Sequence, residues 1–276
     1  FSLNNKDLFM HLYEEQFLEE HDYPRVSKPT KVLIIASTER CGSHMLGHAL
    51  HNTHAFGFPL EYANPANLKK WKEKFKTDDF YEVLDEIQKR RTSPNGVFGI
   101  KLHYQHIEEF GGFEQLVNYF PDAYYVLLSR ENVLNQAVSL SIASQTGVWI
   151  AGQEPVNENP EYDYSSIDKS LKSIIKNNSS WRYSLAASDC NYMEMNFDNV
   201  KNNLDKTISD IAKFMGVSVN VEDIPTEQVT SKQSNKLNKE WEERFCSEFN
   251  LSSKLIPEQK PELIKKIKKK VKKVLS

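Results

Sequence analysis

The chain has 276 residues, 39% of them apolar and 11% aromatic, which suits one well-buried core and argues against disorder. Its formal charge of −3 is unevenly spread: residues 257–276 hold eight Lys and two Glu, a local +6, leaving the remainder near −9. An acidic body with a basic tail is not the footprint of a general nucleic-acid binder, so no nucleic-acid partner is expected.

In chain order, residues 6–20 read as a short helix with Leu8, Leu12 and Phe17 as its apolar positions, before Pro24 and Pro29 break the chain. This makes 1–30 an N-terminal helical extension to a domain expected over 31–256. Lys31 to Ser37 (KVLIIAS) is a continuous apolar run, the mark of a strand buried on both faces. A helix follows from about Ser43 to Asn52, a second strand at Val97 to Leu102, and a third at Tyr124 to Ser129. The next helix spans about Val133 to Gln145, and helical patterns return at roughly 166–187 and 198–215 around a short strand near Tyr192 to Phe197. Gly216 suits the C-cap of the last of these. Short apolar strands alternating with helices predict an α/β fold in three layers, a mostly parallel central sheet flanked by helices. Such folds bind ligands at the carboxyl ends of their strands, which directs attention to the segments after Ser37 and Ser129.

The first segment reads Ser37-Thr38-Glu39-Arg40-Cys41-Gly42-Ser43-His44-Met45-Leu46. A buried strand, a tight turn and a helix start make an anion site, because helix N-terminal N–H groups point outward and the dipole adds about 0.3–1 kcal/mol per charge. Arg40 adds a cation able to grip phosphate in two places. The G-x-x-x-x-G-K-[ST] pattern is absent, so an ATPase or kinase of that type is not supported. Taken alone, this segment also fits an ordinary strand–helix turn. The second segment places Arg130 at a strand end and Ser139 nine residues on, within a helix. Arg130 and Ser139 could converge on one phosphate, or could simply face solvent. Together the two segments suit a nucleotide phosphorylated at both its 5′ and 3′ positions.

These residues resemble a family: the bacterial PAPS-dependent sulfotransferases of the trehalose 2-sulfotransferase (Stf) type, related to the Nod-factor sulfotransferases. The first loop matches their S-T-x-R-S-G-S-T-x-L pattern, Phe58 to Tyr62 their P-x-E-Y segment, and Gly99 to His103 their G-x-K motif. Arg130 to Trp149 matches R-x(5)-Q-A-V-S-x(3)-A-x-x-T-G-x-W, and Lys232 to Phe245 resembles a Q-x-x-x-L-x-x-E-W-x-x-R-F segment. The departures are Cys41, where the family has Ser, and His44, where it has a second hydroxyl residue. The resemblance implies the P-loop-like nucleotide-binding fold of sulfotransferases. It also implies transfer of a sulfuryl group from PAPS (3′-phosphoadenosine 5′-phosphosulfate) to a hydroxyl of a carbohydrate or glycolipid acceptor, leaving PAP.

By the same resemblance Arg40 is the cation on the leaving phosphate oxygen and Glu61 the general base. Donor contacts are expected from Arg40, Cys41, Gly42, Ser43, His44, Met45, Arg130, Ser139 and Lys232. Lys101, His103 and Trp149 are candidate acceptor contacts, although Trp149 and Trp181 equally suit a core. No metal is expected, since arginines and helix termini can meet the donor's charge. A nucleotide- or carbohydrate-binding module of this fold without activity is the alternative, favoured if Glu61 lies far from the nucleotide site. Relatives suggest a homodimer.

Cys41, Cys190 and Cys246 show no C-x-x-C spacing and make neither a disulfide framework nor a zinc site. A reducing, cytoplasmic compartment follows as the expectation. No stretch reaches the roughly 18 apolar residues of a membrane span, and no signal-peptide pattern stands at the N-terminus. The first residue is Phe1 rather than Met, as in a trimmed or partial chain. Residues 257–276 form a basic amphipathic pattern, with Leu263, Ile264, Ile267, Val271, Val274 and Leu275 on one face among lysines. Such a helix can lie peripherally on the inner, anionic membrane surface, or pack on the domain or a dimer partner.

Overall fold

The structure, a computed structural model, describes residues 14–26, 28–150, 153–220, 222, 224, 236–251 and 254–255. Four strands, β1 (Lys31–Ser37), β2 (Val97–His103), β3 (Tyr124–Ser129) and β4 (Asn191–Asn196), pair in parallel in the order β2-β1-β3-β4. The α/β expectation and its parallel sheet hold. The first three strands are near-continuous Val, Ile, Leu and Phe because helices cover both of their faces.

On one face Val32, Ile34, Phe98, Ile100, Leu102, Tyr125 and Leu127 pack against α2 (Pro65–Phe75), α3 (Phe80–Arg91), α4 (Phe113–Tyr119) and α6 (Tyr164–Ala187). On the other, Leu33, Ile35, Val126 and Leu128 meet α1 (Ser43–Asn52), α7 (Phe197–Asn202) and α8 (Leu204–Met215). Each such side chain, fully buried, contributes about 1.5–3 kcal/mol. A smaller core joins α5 (Val133–Thr146), α6 and α9 (Lys236–Glu248) around Ile167, Ile174, Trp241 and Phe245.

Two expected helices differ. Over the described part of 6–20 the chain makes two short 3-10 turns, Glu14–Phe17 and Glu19–His21, separated by extended Leu18. The buried Arg91 guanidinium takes the carbonyls of Gln16 and Leu18 at 2.9 and 2.8 Å, which an α-helix would need for itself. The pattern at 198–215 is two helices, because Asn203 at φ −139°, ψ 58° leaves the helical region between α7 and α8. Gly216 caps α8 in the left-handed conformation, as its sequence position suggested.

The chain passes from β2 across β1 to β3, so connections leave β1 in opposite directions. The cleft between the carboxyl ends of β1 and β3 is the topological switch point, where such sheets bind ligands. Residues 38–42 and 130–132 form its rim.

Candidate functional site

The loop after β1 turns tightly: Arg40 and Gly42 both take positive φ, 60° and 94°. A Cβ added to Gly42 would lie 2.0 Å from the Phe197 ring, so only glycine brings the loop so close to α7. Gly42 caps α1 without a side-chain bond, and the first N–H groups of a helix find no partner within it.

Arg40 Nε donates to Ser139 Oγ at 3.0 Å, and its Nη1 donates to the Trp149 carbonyl. Arg130 Nη1 donates to the Arg40 carbonyl at 3.2 Å while its guanidinium lies 5.4 Å from the Phe197 ring centre. Burial pushes the Arg40 guanidinium down to about 10, and Arg130 nearby pushes the same way. Two cations therefore share this cleft. Gln136, fully buried on α5, donates to Thr38 Oγ1 at 2.9 Å and to the Glu39 carbonyl at 2.5 Å, tying the two loops together. Thr38 in turn donates to Asn178 Oδ1 on α6 at 3.4 Å.

A second cluster lies beside β1 on the β2 side. Leu60 makes a parallel bridge to Ile100, and Lys101 N–H donates to the Leu60 carbonyl at 2.9 Å, which sets Glu61 against the end of β2. Gly99 permits this: a Cβ there would come within 2.3 Å of the Phe56 carbonyl and 2.5 Å of Pro59. Glu61 Oε1 meets Lys101 Nζ at 2.8 Å and His103 Nε2 at 3.2 Å. Its Oε2 accepts from Asn64 Nδ2 at 3.2 Å. Burial pushes the Glu61 carboxyl up, but Lys101 and His103 outweigh it and hold the group well below the usual carboxylate range. His103 lies level with Ser37 across the strand pair, and its Nδ1 is 3.1 Å from Ser37 Oγ.

His44 stands in the first turn of α1. Burial pushes it down to about 2, aided by Lys101, and it also feels Glu61 and Arg40. Its ring packs 4.3 Å from that of His48.

The structure thus brings together Arg40, Gly42, Ser43, His44, Arg130 and Ser139 at one rim, with Glu61, Lys101 and His103 adjoining. Cys41 and Met45 turn their side chains into the core, so only their backbones can face the cleft. Burial pushes the Cys41 thiol up. Trp149 reaches the site through its carbonyl, and Trp181 is core, its indole N–H donating to the Ser37 carbonyl at 3.0 Å. Lys232 and the segment 257–276 lie outside the described residues. Sequence reasoning gave no role to Ser37, Gln136 or Phe197; Ser37 carried a signal as the first S of the S-T-x-R pattern and Gln136 as the Q of the Q-A-V-S block, while Phe197 carried none. No group of three or more His, Cys, Asp or Glu that could hold a metal occurs among the described residues.

Residues 32–248 match the family model described as Stf0 sulphotransferase. Among curated proteins the chain is 21% identical to the trehalose 2-sulfotransferase of Mycobacterium tuberculosis over 81% of its length and 97% of that protein's. It is 22% identical to the trehalose 2-sulfotransferase of Mycolicibacterium smegmatis, over 79% and 94%. Among solved structures, the sulfotransferase from Alicyclobacillus acidocaldarius aligns with a TM-score of 0.49 at 15% identity, covering 80% of this chain and 92% of that one. The sulfotransferase domain from the curacin biosynthetic pathway aligns at 0.45 and 14% identity, over 90% and 98%.

Proposed function

The chain belongs to the Stf0 sulphotransferase family, and from that premise we propose that it moves a sulfuryl group from PAPS to a hydroxyl of a carbohydrate or glycolipid acceptor. The observation that carries this reading is the pairing of Arg40 and Arg130 across the β1/β3 cleft, beside the N-terminus of α1. Two cations held together repel one another, and a polyanion relieves that cost. PAPS, charged at both its 5′ and 3′ ends, fits such a site.

In this mechanism the acceptor oxygen attacks sulfur in line as the bond from sulfur to the 5′-phosphate oxygen breaks. Arg40 and the α1 N–H groups stabilise the charge growing on that oxygen; a preorganised partner of this kind commonly contributes about 10²–10³ in rate. Glu61 takes the acceptor's proton, a role worth about 10²–10⁴. What supports catalysis over a simple binding module is that Glu61 reaches, through His103, Ser37 at the end of β1, three residues before Arg40. Two relatives are trehalose 2-sulfotransferases, which makes trehalose the first acceptor to try.

The reading is tested by calorimetric titration with PAP, using ATP as control. Micromolar or tighter PAP binding is expected, with little ATP binding, and Arg130→Ala should weaken PAP by about 10–100-fold, the worth of a charge-assisted contact. A folded sample that ignores PAP would end the proposal.

A further inference from the structure

Glu61 is held asymmetrically. Both cations sit on Oε1, whereas among the described residues Oε2 holds only the Asn64 amide. The carboxylate keeps 22% of its side chain exposed, against 4% for Lys101 and 6% for His103. Of the three side chains, that of Glu61 is therefore the one that keeps contact with solvent, with Lys101 and His103 buried behind it.

His103 is held on both sides. Nε2 faces a carboxylate oxygen at 3.2 Å and so carries a proton. Nδ1 faces Ser37 Oγ at 3.1 Å, and the same hydroxyl can give its single proton to the Leu102 carbonyl at 3.4 Å. Both contacts of Ser37 are used at once only if Nδ1 also carries a proton and donates to Oγ. The charges around the ring agree with two protons. Burial pushes the ring down, but Glu61 above all, with Glu39, outweighs burial and Lys101 together and raises it. Lys101 and a protonated His103 together balance those two carboxylates. The neighbouring imidazoles stay neutral: burial pushes His106 down to about 3, His103 adding to it, and His44 to about 2. The His106 ring lies 5.1 Å away and its Nδ1 accepts from the His103 backbone N–H at 3.2 Å.

We propose that His103 is a positioning residue of the reaction: an imidazolium that donates through both ring nitrogens, to Ser37 and to Glu61 Oε1, and so presents Glu61 Oε2, ionised, to the acceptor hydroxyl. This rests on Glu61 being the base. The acceptor's O–H bond breaks toward Oε2 as its oxygen binds sulfur; His103 keeps both its protons throughout, and Glu61 later releases the gained proton to solvent.

The test is an NMR titration of the full chain with PAP bound, following the Glu61 side-chain carboxyl carbon and the His103 ring nitrogens. Wild type should show imidazolium shifts at both His103 nitrogens at pH 7.5. In His103→Gln, which keeps a donor but no charge, the Glu61 midpoint should rise by about 1 pH unit or more, the usual effect of losing an opposite charge at this range. A neutral ring in wild type at pH 7.5, or an unmoved Glu61 midpoint in His103→Gln, overturns the proposal. Should His103→Gln fail to bind PAP or to fold, Ser37→Ala serves instead: His103 should then lose its Nδ1 proton at a lower pH, and an unchanged ring titration overturns the proposal equally. Glu61→Gln separates the two levels. If it turns over PAPS with acceptor at the wild-type rate, the base reading fails. If it is inactive while the Glu61 midpoint is unmoved in His103→Gln, only the positioning role fails.

Discussion

At the residue scale, Gly42 shows how closely the loop after β1 is built. Alanine there would meet two costs. One is positive φ, on the order of 1 kcal/mol for a residue with a Cβ. The other is the 2.0 Å approach to the Phe197 ring. Gly42→Ala is therefore expected to lower stability by about 2–4 kcal/mol in urea unfolding. Gly42→Ala with Phe197→Ala should then be less destabilised than the sum of the two single variants, since the ring that clashes is gone. Strict additivity would show that the ring is not what excludes a side chain.

At the scale of elements, Gln136 is the brace between α5 and the loop after β1. Gln136→Ala leaves the buried Thr38 hydroxyl and Glu39 carbonyl short of a donor, a loss of about 1–3 kcal/mol. Because α5 also carries Ser139, the same variant should weaken PAP binding in calorimetry; unaltered affinity would separate the brace from the site. Strands β1, β2 and β3 and helix α1 were legible in the sequence because apolar runs and a single glycine turn mark them. Helices α2, α3, α4 and α9 were not, since sequences such as PANLKKWKEKF and KLNKEWEERFCSE bury only a few residues among many charges. Arg40 and Arg130 were legible as residues just past the ends of strands, and Ser139 as a residue within the helix that follows. The pairing of His103 with Ser37 was not, because it arises from the register of β1 against β2, which no local pattern states.

At the scale of the whole molecule, the histidines of α1 couple stability to pH. Burial pushes His48 and His51 down to about 4, and neighbouring Lys101 or His21 add to it. Their unfolded forms titrate near 6.5, so the unfolded chain binds more protons below that pH. Stability is thus fully present above about pH 6.5 and falls as pH drops toward 4, by up to roughly 1.4 kcal/mol per pH unit for each fully buried group. His51 is stacked 3.8 Å from Phe58. Urea midpoints at pH 7.5, 6 and 5 should decline in that order, and His51→Phe should flatten the decline; a midpoint constant over this range would show that these rings are not held neutral.

The order of the strands also sets a timetable for biosynthesis. Arg40 precedes its partners Ser139 and Trp149 by 99 and 109 residues. At about 5–20 residues per second, a ribosome delivers Ser139 roughly 5–20 seconds after Arg40. For most of that interval β1, an inner strand of the sheet, waits for its neighbours, since β2 ends only at His103 and β3 only at Ser129. The donor cleft cannot exist on a partly made chain, and PAP cannot guide the early steps of folding. The nascent chain must instead shelter its most apolar segment by local collapse onto α1, so the first half of the protein is where a translating cell would need a chaperone.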